Sequence, residues 1–149
     1  MILDAVPLFA TTIDEVGIAW FDFYSIGHIC FGLAVFLFLS LFYVIPVHHG
    51  HKAWLPLWFI FILSMVVLIL WEVVEHTIFI DLGIKFEGRA DSIPNMTTDL
   101  ILGAIGAGVN WIAAKKIVKK EKMWAYYIPG IIAFLLWLIV FFILRFLTL

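Results

Sequence analysis

The chain has 149 residues, little charge and a single cysteine, Cys30. One cysteine cannot form an internal disulfide, and it excludes the zinc and iron–sulfur frameworks that need several thiolates. A bound metal ion would therefore depend on His, Asp or Glu.

Nine Lys and Arg against eleven Asp and Glu give a formal net charge of -2, so the chain lacks the basic surface that holds phosphate backbones. Nucleic acid is not expected as a partner.

Charged residues make up 13% of the sequence and hydrophobic residues 65%. A water-soluble domain would not expose so much apolar surface, so we expect membrane lipids to surround the protein. A helix needs roughly 20 apolar residues to cross a bilayer. Four stretches meet this requirement, at about 21–47, 53–82, 95–118 and 123–149. The sequence therefore predicts an all-α integral membrane protein, with one domain over residues 1–149 folded as a four-transmembrane-helix bundle.

Lysines predict the orientation of this bundle, because cytoplasmic loops carry the excess of Lys and Arg. The turn between the last two spans, "KKIVKKEK", has five lysines: Lys115, Lys116, Lys119, Lys120 and Lys122. This turn should be cytoplasmic, which places both termini outside (N-out/C-out). The N-terminal stretch carries Asp4 and no basic residue, so it lacks the positive region of a signal peptide. We expect residues 2–19 to form a short interfacial segment, and the plasma membrane to be the location.

Polar residues interrupt the second span in "VVLILWEVVEHTIFI", residues 66–80. Glu72, Glu75 and His76 are spaced i, i+3, i+4 and share one face of a helix. Polar residues at the outer ends of the first and third spans lie at similar depth, namely Asp22, His28, Asn95 and Asp99. In the simpler interpretation, Trp71 marks the membrane boundary, and Glu72, Glu75 and His76 form an ordinary solvated helix end. The apolar continuation "TIFIDLG" argues against it, since ionisable residues within spans usually face the bundle interior and carry function.

The residue types in this cluster are typical of a transition-metal site. Imidazole with carboxylate suits zinc, manganese or iron, whereas calcium would use the histidines poorly. We predict four ligands, His28, Glu72, His76 and Asp99, with Asp22, Asp91 and Asn95 around them. The last span has no Asp, Glu or His, so a di-iron site built from four helices is disfavoured and a mononuclear or dimer-shared site is favoured. Haem held by His28 and His76 is a less favoured alternative.

The stretch "GRADSIPNMTTDLILGAIGAGVNW", following the upstream glutamates, resembles the VanZ-like small membrane proteins and related families. The matching positions are Glu72 or Glu75, Gly88, Arg89, Asp91, Asn95, Asp99, Gly103 and Gly106. This resemblance implies a role in the cell envelope.

Two classes of function stay open. An enzyme would use the metal to act on an envelope or lipid substrate, with Glu72 or Glu75 as general base and Arg89 steadying an anionic group. A non-enzymatic subunit would use the cluster for helix packing, proton relay or partner assembly. Small residues of the third span, Gly103, Gly106 and Ala107, predict close helix packing within the bundle or in a homo-oligomer.

Overall fold

In a computed structural model, which describes residues 6–85, 88–118 and 122–148, helices joined by turns and loops form the chain. The α-helices in this part are α1 (Ser25–Leu39), α2 (Leu41–His48), α3 (Leu57–Val74), α4 (Ile93–Ile117) and α5 (Met123–Thr148). A π-helical turn, Glu75–Phe79, continues α3, and a 3-10 turn, Ile13–Glu15, precedes α1. The described residues contain no β-strand, and an isolated bridge pairs Phe9 with Phe21.

Three helices are long and apolar enough to cross a membrane. They are α3 with its π-turn (Leu57–Phe79), α4, and the part of α5 from Met123 to Val140. Helices α1 and α2 meet the same criteria as a pair that is bent by 44°, so the chain has four spans if this pair is one broken span. The structure thus shows an all-helical protein with three helices long and apolar enough to cross a membrane, and the first predicted span is not one straight helix.

The bend between α1 and α2 has a side-chain cause. Ser40 donates a hydrogen bond from Oγ to the carbonyl oxygen of Leu37 at 2.6 Å, and such back-bonding by serine bends helices. The Tyr126 hydroxyl of α5 donates to Ser40 Oγ at 2.9 Å. Pro46, within α2, has no N–H for the helical ladder.

Two polar caps fix where α1 and α4 begin. Asp22 Oδ1 accepts hydrogen bonds from the backbone N–H of Tyr24 at 2.8 Å and of Ser25 at 3.2 Å. Helix α1 therefore begins at Ser25 and not at the predicted residue 21. Ser92 Oγ accepts from the backbone N–H of Asn95, and a proline stands in the first turn of α4, a combination that favours helix initiation.

Glycines bring α4 close to α1 and α3. A Cβ atom built on Gly32 of α1 would overlap the carbonyl group of Gly103, and one built on Gly106 would overlap the carbonyl oxygen of Ile29. Ala107 is fully buried. The small face of α4 thus packs inside a single chain. Its predicted use between two copies stays a prediction.

The fold separates an apolar end from a polar end. The buried apolar core lies toward the α2 end and includes Phe36, Val44, Ile60, Ala114 and Tyr126. The start of α1, the end of α3 and the start of α4 meet at the opposite end, where the polar residues lie. Asp4, Lys119 and Lys120, which entered the orientation prediction, lie outside the described residues.

Candidate metal centre

Three helices bring His28, Glu72 and Asp99 together. His28 lies between the two carboxylates, with Nδ1 3.6 Å from Glu72 Oε1 and Nε2 3.5 Å from Asp99 Oδ2. Glu72 is 4% exposed and Asp99 3% exposed. The equal depth of these residues on α1, α3 and α4 is what allows one imidazole to reach both acids.

His76 contacts Glu72 on the side away from His28. Its Nδ1 is 2.6 Å from the backbone oxygen of Glu72, a hydrogen-bond distance, and 3.7 Å from Glu72 Oε2. Its Nε2 is 3.1 Å from Asp91 Oδ2. His76 therefore connects Glu72 to Asp91 and has no contact with His28 among the ion pairs described.

The π-turn brings Glu75 toward His28. A π-turn is wider than an α-turn and is common at functional sites, so it changes the direction of the side chains from Glu75 onward. One ligand atom each from His28, Glu72 and Glu75 lie within 4.8 Å of one another. Tetrahedral metal–ligand bonds of about 2.1 Å place two donors about 3.4 Å apart, so closure around an ion would shorten the longest of these separations by up to about 1.4 Å.

This grouping differs from the predicted ligand set. Sequence reasoning assigned Glu75 to catalysis, whereas the structure places it with His28 and Glu72 as a group able to hold an ion. His76 and Asp99 lie beside that group, each within 4 Å of one of its members.

Sequence reasoning missed Lys85, which is buried at the edge of the cluster. Its Nζ donates to Glu75 Oε1 at 2.9 Å and to Asp91 Oδ2 at 2.6 Å, and the residue is 8% exposed. The apolar neighbours Ile84 and Phe86 in the sequence were the signal that this loop lysine is not simply solvated.

Burial and charge act in opposite directions on this pair. Burial lowers the pKa of Lys85, but the charges of Glu75 and Asp91 and their hydrogen bonds outweigh it and raise that pKa above its ordinary value. Burial raises the pKa of Asp91, and the charge and hydrogen bond of Lys85 offset this only in part. The pair thus favours the charged form of Lys85, whereas burial disfavours the charged form of Asp91.

Arg89, Asp22 and Asn95 hold the N-terminal segment over the cluster. Arg89 donates to the backbone oxygens of Asp14 at 2.6 Å and Val16 at 3.0 Å. Asn95, 1% exposed, donates from Nδ2 to the Ala19 oxygen at 2.9 Å and to Asp22 Oδ2 at 3.2 Å. These residues fix the walls of the site. The described hydrogen bonds of Arg89 go to backbone and not to the carboxylates.

A cavity of about 70 Å³ lies under this segment. Polar residues in its wall are Asp22, His28, Glu75, Lys85, Arg89, Asp91, Asn95 and Asp99. Gly17 also lines it and has a positive φ of 74°. A Cβ atom there would overlap the Asp91 carboxylate, so glycine is required for the segment to approach this closely.

Two carboxylate oxygens of the cluster, Glu72 Oε2 and Asp99 Oδ1, are buried without a hydrogen-bond partner among the described residues, and His76 Nε2 has an ion-pair contact to Asp91 but no hydrogen bond. Such atoms are rare in native proteins and call for an explanation. Ionised carboxylates can only accept hydrogen bonds, so Glu72 and Asp99 require a cation or a proton. Five carboxylates meet here, from Asp22, Glu72, Glu75, Asp91 and Asp99, and Lys85 is the ammonium that pairs with two of them.

Comparisons with protein-family models, with curated proteins and with solved structures found no significant match for this chain. The resemblance to VanZ-like proteins thus stays an inference from the motif. Function must be argued from the site itself, because a fold alone does not determine function.

Proposed function

We propose that this integral membrane protein binds one divalent transition-metal ion, zinc, manganese or iron, in its His/carboxylate cluster. The carrying observation is that ligand atoms of His28, Glu72 and Glu75 lie within 4.8 Å of one another. The unpartnered oxygens of Glu72 and Asp99 support it, since a buried carboxylate without a partner is costly and a bound cation compensates it.

The donor set suits these metals. One imidazole nitrogen with several carboxylate oxygens is a borderline environment that zinc, manganese and iron accept. Asp99, beside His28, orients the imidazole or supplies a further oxygen. Haem is not part of the proposal, because the cavity of about 70 Å³ is far below the roughly 300 Å³ at which ligand pockets begin.

The enzymatic form of this proposal acts on an envelope or lipid substrate. A bound metal ion supplies Lewis-acid chemistry and a more acidic water. With Glu75 as a ligand, its carboxylate oxygen not bound to the ion would act as the general base, and its side chain lines the cavity and is 24% exposed. Arg89 lines the same cavity and would contact a polar group of the substrate through nitrogens other than the one bonded to Asp14 and Val16.

A proton relay is the second candidate, and a specific chain of contacts favours it. From Asp99 the contacts pass through His28, Glu72, His76, Asp91 and Lys85 to Glu75, alternating acidic and basic groups at separations of 2.6–3.7 Å. The chain runs from a buried acid to a partly exposed one. At the opposite end, Ser40 and Ser64 donate to carbonyls of their own helices, so the relay is proposed at one membrane face and not across the bilayer.

The topology that accompanies the proposal has four spans, both termini outside, and the cluster facing the exterior of the plasma membrane. The lysines of the turn between α4 and α5 support it. Single cysteines in a Cys30→Ala background test it with an impermeant thiol reagent on intact cells. Label is expected at Gly88→Cys and not at Lys122→Cys, and the reverse pattern would place the cluster in the cytoplasm.

Metal counting tests the central proposal. Protein prepared without a histidine tag, supplied with zinc, manganese and iron, should carry about one ion per chain by inductively coupled plasma mass spectrometry. His28→Gln and Glu72→Gln should each lower this count steeply. Matched controls are His51→Gln and Glu15→Gln, which change the same residue types at an exposed and a half-buried position outside the cluster and should leave the count unchanged. Wild-type protein without stoichiometric metal would refute metal binding and favour the proton relay.

A further inference from the structure

A second cavity lies beside the cluster and is almost entirely apolar. It has a volume of about 610 Å³ and is formed by side chains of α1, α3 and α5. We call it the apolar groove. Its lining includes Phe31, Val35, Phe38, Val67, Ile131 and Phe134.

The apolar groove continues the polar cavity. Phe31 lines both. On α1 the lining passes from His28 to Phe31, Val35 and Phe38, a spacing that keeps one helix face. From the π-turn to α3, the lining passes from Glu75 at the polar cavity to Val67 in the groove. On α5 it passes from Val140 at the polar cavity to Ile131 in the groove. All three helices therefore run from the polar cavity into the apolar groove.

The dimensions of the groove fit a hydrocarbon chain. Its lining on α1 extends from Phe31 to Leu39, which corresponds to about 12 Å along a helix, and Leu41 of α2 also contributes. A volume of about 610 Å³ over that length gives a mean cross-section of about 50 Å².

We propose that the site binds a long-chain amphiphile whose chain lies in the apolar groove and whose headgroup enters the polar cavity. This proposal rests on the proposed function, because the headgroup would bind at the same His/carboxylate cluster. It names the substrate or ligand class: a lipid-like molecule with a headgroup that donates hydrogen bonds and carries no negative charge.

Charge determines the headgroup chemistry. The carboxylates in the polar cavity only accept hydrogen bonds, and they outnumber the cations Lys85 and Arg89. Lys85 is bonded to two carboxylates, and Arg89 donates to two backbone oxygens. In the metal-free protein an anionic headgroup would thus meet net negative charge, whereas a hydroxyl or an ammonium finds acceptors; a bound divalent ion would reduce this difference.

Three probes with one chain and different headgroups test this: oleylamine, oleyl alcohol and oleate. Each is titrated into delipidated protein in detergent, and the bound molecules per chain are counted by native mass spectrometry. We expect saturation at one molecule per chain for the amine and the alcohol, with affinities about tenfold or more above that of oleate. The comparison of amine with alcohol distinguishes a charged from a neutral donor. Equal binding of all three would overturn the proposal.

Neighbouring residues on α5 provide matched variants. Ile131 lines the groove, whereas Ile132 is not among its lining residues, and both are about half exposed. Ile131→Trp should block the groove and weaken oleylamine binding about tenfold or more, while Ile132→Trp should not. Ala34→Trp, a second lining position, gives the same test if Ile131→Trp fails to fold. Equal binding by the blocked and control variants would overturn the proposal.

Metal counts on the same samples separate the two hypotheses. Titrations are run on metal-loaded and on chelator-treated protein. Bound metal without saturable amphiphile binding would overturn the amphiphile proposal and leave the metal site standing. Saturable binding that is sensitive to Ile131→Trp in a protein that never holds metal would support the amphiphile and refute the metal.

Discussion

Replacing Lys85 by methionine should change stability and metal affinity in opposite directions. The substitution keeps an unbranched side chain of similar length and removes the ammonium that joins Glu75 Oε1 to Asp91 Oδ2. In the metal-free protein, two carboxylates are then left close together without a cation. In the metal-loaded protein, the same change frees Glu75 to act as a ligand.

The magnitudes follow from burial. The side chains of Lys85, Asp91 and Glu75 are 5%, 13% and 24% exposed, and removing one partner of a buried pair costs about 3 kcal/mol or more. For a chain of this size, that loss lowers the melting temperature by roughly 6–12 °C. The Lys85 ammonium, roughly 6 Å from a bound ion, would repel each unit of the ion's positive charge by about 3 kcal/mol at an effective dielectric of 20. Metal affinity should therefore rise at least about tenfold.

The pH of the assay follows from the pKa of Lys85. Because that pKa is raised in the folded protein, the stabilisation is full below the ordinary value of about 10.4 and is lost as the pH rises through the raised value. An assay near pH 7.5 thus measures the whole effect.

Thermal unfolding by circular dichroism in detergent, with chelator present, measures stability, and isothermal titration with zinc measures affinity. Lys52→Met changes an exposed lysine and should alter neither quantity. Lys85→Arg keeps the charge and should retain most of the stability. A Lys85→Met protein with an unchanged melting temperature, or with weaker zinc binding, would refute the assignment of Lys85 as an internal cation that competes with the metal.

Three further predictions concern packing, the N-terminal segment and pH. Gly106→Leu should lower the melting temperature sharply because its Cβ position overlaps the α1 backbone, whereas Gly108→Leu, with nothing within 4 Å, should not; equal melting temperatures would place both glycines against lipid. Gly17→Ala should cost about 1–3 kcal/mol of unfolding free energy through its positive φ and the Asp91 contact, which chemical denaturation measures. Zinc affinity, measured by titration, should fall as the pH is lowered, because imidazole and carboxylate ligands bind only when deprotonated, and a pH-independent affinity would exclude His28 as a ligand.

Much of the fold could be predicted from the sequence because a membrane imposes length and hydropathy on each helix. Apolar runs placed α3, α4 and α5 to within a few residues. The bend at Ser40 could not be predicted in this way. It depends on whether a serine bonds back to its own helix and on the tyrosine of α5 that meets it, and neither contact leaves a trace in a hydropathy pattern.

The approach of His28, Glu72 and Asp99 followed from depth alone, since residues at equal height on neighbouring helices can meet. Which of the clustered side chains lie closest together did not follow from depth. Helical spacing gave Glu72, Glu75 and His76 one face and could not distinguish them, whereas the π-turn moves Glu75 toward His28 and leaves His76 beside Asp91. A single extra residue in a turn is invisible to a pattern that assumes a regular helix.

Lys85 shows why charge must be counted locally. Over the whole chain the formal charge is only -2, which suggests no special demand for a cation. At the cluster the demand is large, because the fold gathers carboxylates from four segments and the N-terminal segment covers them through Arg89 and Gly17. Lys85, in the loop before α4, forms ion pairs with only two of these carboxylates, those of Glu75 and Asp91. The remaining buried oxygens, on Glu72 and Asp99, are the observation on which we base the proposal of a second cation in the site.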